Sequence, residues 1–397
     1  MDIQNFSALF NTPARREAFL KLIKDNKTKH IFIQGLEGSS IALFFSNLLE
    51  HKQAHIIIAN DLDEAGYLYN DLVQINGNDH ILLFPSGYKR DIKYGQPDPP
   101  SEILRTEVLN RLCQKGESLL IVTYPEAIAE KVVPVNMLSE QTLHIDKNSK
   151  CDIITLSDKL RERGFEEVDY VYEPGQFAVR GSILDVFSYT NELPYRIDFF
   201  GKEVESIRTF EVETQLSTGK LEEVYIVANV CGQEASGISI LDFIDKNTIL
   251  ICHNLSWVID RISTIASESL SEQTLIAEEG DRYAMQKIID VTAFQKKITT
   301  FRRIDYGANS EANTPAVIRF NCAPQGVYHK NFDLVSQSFS QFIEKGYTLY
   351  ILSDSEKQIE RLQAIFEERG DSISFTPVLK TLHEGFVDND LKIGCFT

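Results

Sequence analysis

Short apolar runs alternate with segments of helical periodicity through the first third of this 397-residue chain. The runs read HIFIQ, AHIII, HILLF and SLLIV, and each precedes a segment whose apolar residues recur every three or four positions. Strands that are apolar along their whole length are typical of a parallel sheet with helices on both faces. The pattern over residues 30–133 therefore predicts a parallel α/β domain.

The pattern changes between about 140 and 228, where a short helix near 156–163 is followed by short alternating runs. Turn signals at Pro174-Gly175, Thr190-Asn191 and Gly201-Lys202 separate these runs, so we expect antiparallel hairpins. In PYRIDFF, one face of the strand would carry Tyr195, Ile197 and Phe199, and the other Arg196, Asp198 and Phe200. This predicts a sheet with one packed face and one face that meets a partner.

The strand–helix pattern returns after about 229 and ends with a helix–strand–helix unit, in which Phe339 and Phe342 share a helix face. We predict four parts: a first α/β domain (1–141), an inserted antiparallel α+β domain (142–228), the α/β domain resumed (229–333) and a small α/β domain (334–397). The sequence stops at LKIGCFT, which reads as a strand. We expect the chain to be a piece cut from a longer protein.

The turn after the first strand has the layout of a nucleotide-binding loop. A phosphate-binding loop requires G-x-x-x-x-G-K-[ST], in which the lysine contacts phosphates and the hydroxyl holds magnesium. Alignment on Gly35 places Ser40 at the second glycine, Ile41 at the lysine and Ala42 at the hydroxyl. The loop residues are Gly35, Gly38, Ser39, Ser40 and Ile41, which retain the architecture without the charge. We interpret this loop as a structural remnant and expect neither catalytic residues nor ATPase activity.

Charge weighs against strong DNA binding by this chain alone. The formal net charge is −18, whereas nucleic-acid affinity comes largely from Lys and Arg that neutralise phosphates. The basic clusters are short: Lys89-Arg90 with Lys93, Lys296-Lys297, and Arg302-Arg303. A DNA-contacting module that uses Lys89, Arg90 and Lys93 remains an alternative function.

Metal, disulfide and membrane signals are weak. The six cysteines form no C-x-x-C pair, and His51 and His55 lack the intervening Glu of a zinc-hydrolase helix. We therefore predict no metal site. The N-terminus has no signal-peptide core, and no segment has the length and apolarity of a membrane span, so we expect a cytoplasmic protein without membrane contact.

One long segment carries a resemblance. YEPGQFAVRGSILDVFSYTNELPYRIDFFGKEVESIRTFEV closely resembles bacterial transcription-repair coupling factors and, more distantly, the excision-repair protein UvrB, which shares the pattern GxFxVRGxxxDxF. SEILRTEVLNRL, LLIVTYPEAI and LHEGFVDNDLKIGCFT extend the resemblance over nearly the whole chain. It implies a UvrB-like, RecA- or helicase-like α/β domain with a degenerate P-loop, split by the inserted domain. YGQPDPP stands in place of UvrB's DNA-clamping hairpin, and Tyr124-Pro125-Glu126 and Cys252-His253-Asn254 stand where a motor needs acidic pairs.

The resemblance also implies partners. Coupling factors are similar to a UvrB-like module joined to an RNA-polymerase-binding domain and to a motor that uses ATP and magnesium on double-stranded DNA. Neither of those parts is in this sequence, so no cofactor is expected here. The inserted domain would recruit UvrA through a surface that a C-terminal domain masks in the intact protein. An ATP-dependent helicase or translocase remains the other alternative.

Four residues of the inserted domain are carried over as UvrA contacts: Phe177, Arg180, Phe187 and Arg196. We expect Arg180 to alternate with an inward-facing Val179 and to point out of the sheet, where it would pair with acidic groups. For Phe177 and Phe187, the sequence leaves open whether the rings lie in the core or in the contact.

Overall fold

The computed structural model describes residues 1–397 except 26, 89–97, 115, 148, 192, 229–236, 277–287, 309–315 and 330. The side chains of Pro99 and of residues 269–276 are also left undescribed. The predicted cluster of Lys89, Arg90 and Lys93 lies outside the described residues.

The strands, in chain order, are β1 (His30–Gln34), β2 (Ala54–Ile58), β3 (Ile81–Leu83), β4 (Leu119–Thr123), β5 (Thr142–Asp146), β6 (Glu166–Glu167), β7 (Gln176–Arg180), β8 (Ile183–Val186), β9 (Tyr195–Phe200), β10 (Glu203–Phe210), β11 (Ser217–Leu221), β12 (Glu223–Val227), β13 (Ile249–Cys252), β14 (Arg302–Gly307), β15 (Ala316–Arg319), β16 (Cys322–Pro324), β17 (Thr348–Leu352), β18 (Thr376–Val378), β19 (Phe386–Asp388) and β20 (Ile393–Phe396).

The helices are α1 (Ile3–Phe10), α2 (Pro13–Lys24), α3 (Ser40–Phe45), α4 (Leu62–Asn76), α5 (Pro99–Cys113), α6 (Pro125–Ala129), α7 (Val135–Glu140), α8 (Ile153–Glu162), α9 (Ile240–Phe243), α10 (Leu255–Ile276), α11 (Val291–Ile298), α12 (Phe332–Glu344) and α13 (Glu356–Arg369). A 3₁₀ turn, Ser46–Glu50, follows α3. Within the described residues, no helix is long and apolar enough to cross a membrane.

The first sheet has the order β15-β1-β14-β13-β2-β4-β3 and is parallel throughout. Four of its strands precede the inserted domain and three follow it, so segments on both sides of the insertion build one sheet. β4 is buried along its whole length, as expected for a strand with both faces covered. The parallel α/β sheet and the antiparallel sheets of the molecule confirm the predicted fold class.

The inserted sheet has the order β11-β10-β9-β8-β7-β6, and its neighbours are antiparallel except for β6 and β7. A turn that the sequence analysis missed separates β7 from β8 at Gly181, whose φ of 64° suits glycine. The core of this domain lies between one face of the sheet and α8, where Leu156, Leu160, Phe177 and Ile197 are buried together. An antiparallel pair, β5 and β12, connects the domain to the rest of the chain.

The last sheet has the order β16-β19-β20-β17-β18 and packs between two layers of helices. One face meets α12, on which Phe339 and Phe342 both contact Phe396, with ring centroids 4.5 and 5.9 Å apart. The opposite face packs on α1, because the centroid of Phe6 lies 5.1 Å from that of Tyr350. The last unit is therefore continuous with the core of the first domain.

Candidate functional site

The inserted sheet presents charged and aromatic side chains on the face opposite its core. Cross-strand register places Ala178 beside Asp185, Asp185 beside Arg196, and Arg196 beside Arg208, so these residues point to the same side. We call this surface the polar face, and define it by Arg180, Asp185, Arg196, Asp198, Phe200 and Arg208. Four neighbouring strands, β7 to β10, position its side chains.

A buried carboxylate organises the centre of the polar face. The Asp185 side chain is fully buried, and Arg196 Nε and Nη2 donate to its two oxygens at 2.7 and 2.8 Å. Arg180 Nη2 pairs with the same carboxylate. The hydrogen bonds that Arg196 donates to the Asp185 carboxylate raise the pKa of Arg196, which keeps that guanidinium charged. Two cations around one anion leave a net positive charge at the centre of the face.

The two arginines differ in exposure. The Arg196 side chain is 13% exposed, lies 4.4 Å above the Phe210 ring and donates to the carbonyl of Gln215 at 3.0 Å. The Arg180 side chain is 35% exposed, and its guanidinium lies 5.0 Å from the centroid of the Tyr170 ring. Arg180 is therefore the more accessible cation, and both are held in place before any partner arrives.

The expected alternation of Val179 and Arg180 is wrong in one respect. Val179 is 36% exposed, although it lies on the same side of β7 as the buried Phe177. It stands near the end of the strand, where the core no longer covers it. Arg180 does lie on the opposite side, but it turns toward Asp185 instead of pointing freely into solvent.

Phe200 is a candidate contact that the sequence analysis did not select. Its side chain is 79% exposed, the largest value among the exposed apolar residues of the described chain. The pattern of PYRIDFF already placed it on the side of Arg196 and Asp198. Beside it, Asp198 pairs with Arg208 and accepts a hydrogen bond from Ser206 Oγ at 2.6 Å. An exposed aromatic next to organised arginines is typical of protein interfaces.

The two phenylalanines carried over as contacts lie in cores. Phe177 is completely buried in the main core of the inserted domain. Phe187 is 6% exposed and belongs to a small apolar cluster on the side of the polar face, with Val171, Ala178 and Phe210. Neither ring offers a surface to a partner, so both support the strands that carry the arginines.

The degenerate phosphate loop turns at two glycines with left-handed backbone angles. Gly35 and Gly38 have φ angles of 81° and 53°, which favour glycine. The buried Ser40 hydroxyl accepts from the Glu37 amide at 2.9 Å and donates to the Glu37 carbonyl at 2.7 Å, and Ile41 packs against the core. The side chains at the second-glycine and lysine positions thus take part in local structure.

Residues near the C-terminus cover this loop. Ser39 donates its backbone N–H to the Glu384 carbonyl at 3.0 Å, and its hydroxyl accepts from the Glu384 N–H at 3.0 Å. The N–H and the hydroxyl of Ser39 are thereby bonded to the same residue of the chain, and Ser39 is buried.

Acidic groups near the metal positions of a motor are hydrogen-bonded within the chain. Glu126, which follows β4, accepts from Arg261 at 2.8 and 2.9 Å. Cys252, at the end of β13, donates to Asp305 at 3.1 Å, and Asp305 also lies 2.6 Å from His30. In the part of the chain that the structure describes, no group of three or more His, Cys, Asp or Glu side chains is placed to hold a metal ion.

Three residues of the described basic clusters pair with other groups of the chain. Lys297 pairs with Asp242 at 2.9 Å. Arg302 donates to the carbonyl of Ile23 in the last turn of α2 at 2.7 Å and to that of Thr28, which lies between α2 and β1, at 3.2 Å. Arg303 pairs with Asp305 at 2.8 Å. These contacts engage Lys297, Arg302 and Arg303 within the chain.

Comparison with known proteins matches the inserted domain and then most of the chain. Residues 143–230 match the family model of the UvrB interaction domain. The chain is 20% identical to the transcription-repair-coupling factor of Staphylococcus epidermidis over 422 residues, which covers 90% of this chain and 35% of the relative. It is 22% identical to that of Staphylococcus aureus over 400 residues, covering 85% and 34%. These matches confirm the resemblance given by the motifs, and the chain spans about a third of the length of these relatives.

Proposed function

We propose that this chain is the UvrA-recruiting module of a transcription-repair coupling factor, and that the polar face of the inserted domain is its binding surface. The observation that carries the proposal is the pair of arginines fixed around the buried Asp185, with the exposed Phe200 on the same face. The match of residues 143–230 to the UvrB interaction domain supports this choice of surface.

The electrostatics of the inserted domain favour an acidic patch on the partner. Residues 142–228 contain 10 Lys and Arg against 17 Asp and Glu, a net charge of −7. The central arginine cluster is therefore a local exception in an acidic domain. Opposite charges across an interface orient the partners and accelerate their association, while the acidic surroundings disfavour anionic ligands such as DNA.

Preorganisation explains how a small surface would bind tightly. Long arginine side chains lose rotamer freedom on binding, at a cost of about 0.5–1.5 kcal/mol each. Asp185 and the rings of Tyr170 and Phe210 already restrict Arg180 and Arg196. Phe200 adds apolar area that is free for burial.

A motor function is not part of the proposal for this chain. Ile41 supplies no charge to a phosphate, and Glu126 is paired with Arg261. ATP and magnesium, RNA polymerase, double-stranded DNA and a masking C-terminal domain are proposed for the remaining two thirds of a full-length relative. The module would connect those parts to nucleotide excision repair.

Binding of purified UvrA to the chain, at fixed salt, tests this function. Arg180→Ala should weaken binding by about 2 kcal/mol or more, which is about thirtyfold. Arg161→Ala is the matched control, because Arg161 is a half-exposed arginine on α8 that pairs with Asp158 and Glu167, away from the polar face. Equal losses for both variants, or no binding by the wild type, would contradict the proposal.

A further inference from the structure

The 380–385 segment lies across the degenerate phosphate loop and the adjacent helix α4. On the loop side, Ser39 exchanges two hydrogen bonds with the backbone of Glu384. A Cβ atom on Gly38 would lie 2.8 Å from the Gly385 carbonyl oxygen and 3.1 Å from that of Glu384. The loop therefore accepts a peptide backbone in direct contact, which a side chain at position 38 would exclude.

Helix α4 contributes a row of contacts spaced by one turn. Tyr67 stacks on His383, with ring centroids 3.5 Å apart and planes at 8°. The Asp71 carboxylate accepts from the His383 N–H at 2.7 Å, and Gln74 accepts from Lys380 Nζ at 3.0 Å. Positions 67, 71 and 74 share one face of a helix, so a single face holds the segment.

The Asp71 carboxylate is buried, and the 380–385 segment offsets the free-energy cost of removing that carboxylate from water. Its side chain belongs to a residue only 5% exposed, and burial raises its pKa. Hydrogen bonds from His383 and Ser39 oppose that shift and stabilise the carboxylate. The loop, the helix and the segment thus satisfy each other's polar groups.

We infer that the degenerate phosphate loop and the Tyr67–Asp71–Gln74 face of α4 form a docking site for the 380–385 segment of the same chain. The site binds peptide where a working loop would direct its backbone amides at phosphates. It excludes nucleotide by occupancy as well as by the missing lysine. Together with the packing of α1, it fixes the last α/β unit to the first domain without a nucleotide.

Hydrogen exchange of the full chain, followed by mass spectrometry, tests the docking site. Tyr67→Ala removes the stacking and Asp71→Ala removes the buried acceptor, and either should speed exchange of the His383 and Glu384 amides at least tenfold. Asn70→Ala, at an exposed position of the same helix, is the matched control and should leave that exchange unchanged. Unchanged exchange at His383 and Glu384 in both folded variants would overturn the inference.

Magnesium ATP provides a second, independent readout on the wild type. If the 380–385 segment occupies the loop, millimolar magnesium ATP should change amide hydrogen exchange neither in residues 35–41 nor in the segment. Protection of the loop together with release of the segment would show that nucleotide displaces it, which would also overturn the inference. Neither readout depends on UvrA, so failure here leaves the proposed function standing.

Discussion

The polar face and the degenerate phosphate loop use polar groups in opposite ways. At the loop, the amide and hydroxyl of Ser39 and the carboxylate of Asp71 are all bonded to the 380–385 segment. On the polar face, internal bonds hold Arg180 and Arg196 but leave Arg180 about one-third exposed beside a largely exposed Phe200. Accessibility after internal pairing therefore distinguishes the surface that we propose for a partner from the one that the chain itself already occupies.

Buried and exposed aromatic residues of the inserted domain should differ in how much they contribute to the free energy of unfolding. Phe177→Ala should destabilise the domain by about 3–5 kcal/mol, because it empties a fully buried ring position. Phe200→Ala should change stability by no more than about 0.5 kcal/mol, since its ring is 79% exposed. Urea unfolding monitored by circular dichroism checks both. A large loss for Phe200→Ala would show that this ring serves the fold and would break the comparison.

Acid should affect the α/β region more than the inserted domain. Burial lowers the pKa of His55 in β2 to about 3, below its usual value of 6.5. As the pH falls, the His55 imidazole is therefore protonated in the unfolded chain before it is protonated in the folded chain. This contribution to stability is present above pH 6.5 and is lost as the pH falls toward 3. The inserted domain has a single, exposed histidine, His144.

His55→Gln isolates that effect. The stability difference between wild type and His55→Gln should shift by about 3 kcal/mol between pH 7 and pH 4, at about 1.4 kcal/mol per unit below 6.5. Urea unfolding at both values measures it. A difference that is independent of pH would contradict the burial of a neutral His55.

Two glycines distinguish the loop from the helix beside it. Gly38→Ala should cost about 2 kcal/mol, because φ is 53° and the new Cβ would approach the Gly385 carbonyl at 2.8 Å. Gly66→Ala on α4 is the control and should stabilise by about 0.5–1 kcal/mol, because nothing lies within 4 Å and alanine favours the helix. Thermal unfolding compares the variants, and a neutral Gly38→Ala would argue against close contact with the segment.

The smallest expected effect is that of nucleotide on stability. Millimolar magnesium ATP should not change the melting temperature, because Ile41 brings no charge and the segment covers the loop. A working site saturated a hundredfold above its Kd would instead add about 2.7 kcal/mol. Stabilisation of that size would show that the phosphate loop is open to a ligand, and it would no longer differ from the polar face in accessibility.

The sequence predicted the fold class because apolar periodicity reports burial directly. It placed Arg196, Asp198 and Phe200 on one side of a strand, and the structure agrees. It missed the turn between β7 and β8, although Gly181-Ser182 stands between two apolar runs and a Gly-Ser pair in that position is a two-residue hairpin signal. It also misjudged Val179, since alternation predicts the side of a sheet but not where the core ends.

Contacts between residues that are distant in sequence determine whether the candidate side chains are buried or exposed. Whether Phe177 and Phe187 lie inside was undecidable from alternation, because each side of the inserted sheet carries its own apolar cluster. The occupant of the phosphate loop lies 345 positions away from Ser39. No local pattern in either segment indicates that pairing.

The most direct test measures UvrA affinity after truncating one exposed aromatic in each region. Phe200 and Tyr67 are both exposed, at 79% and 49%, one on the polar face and the other beside the phosphate loop. The account predicts that Phe200→Ala loses at least tenfold in affinity while Tyr67→Ala binds like the wild type, with both variants shown to be folded. Full binding by Phe200→Ala, or an equal loss in Tyr67→Ala, would contradict the claim that the polar face alone meets UvrA.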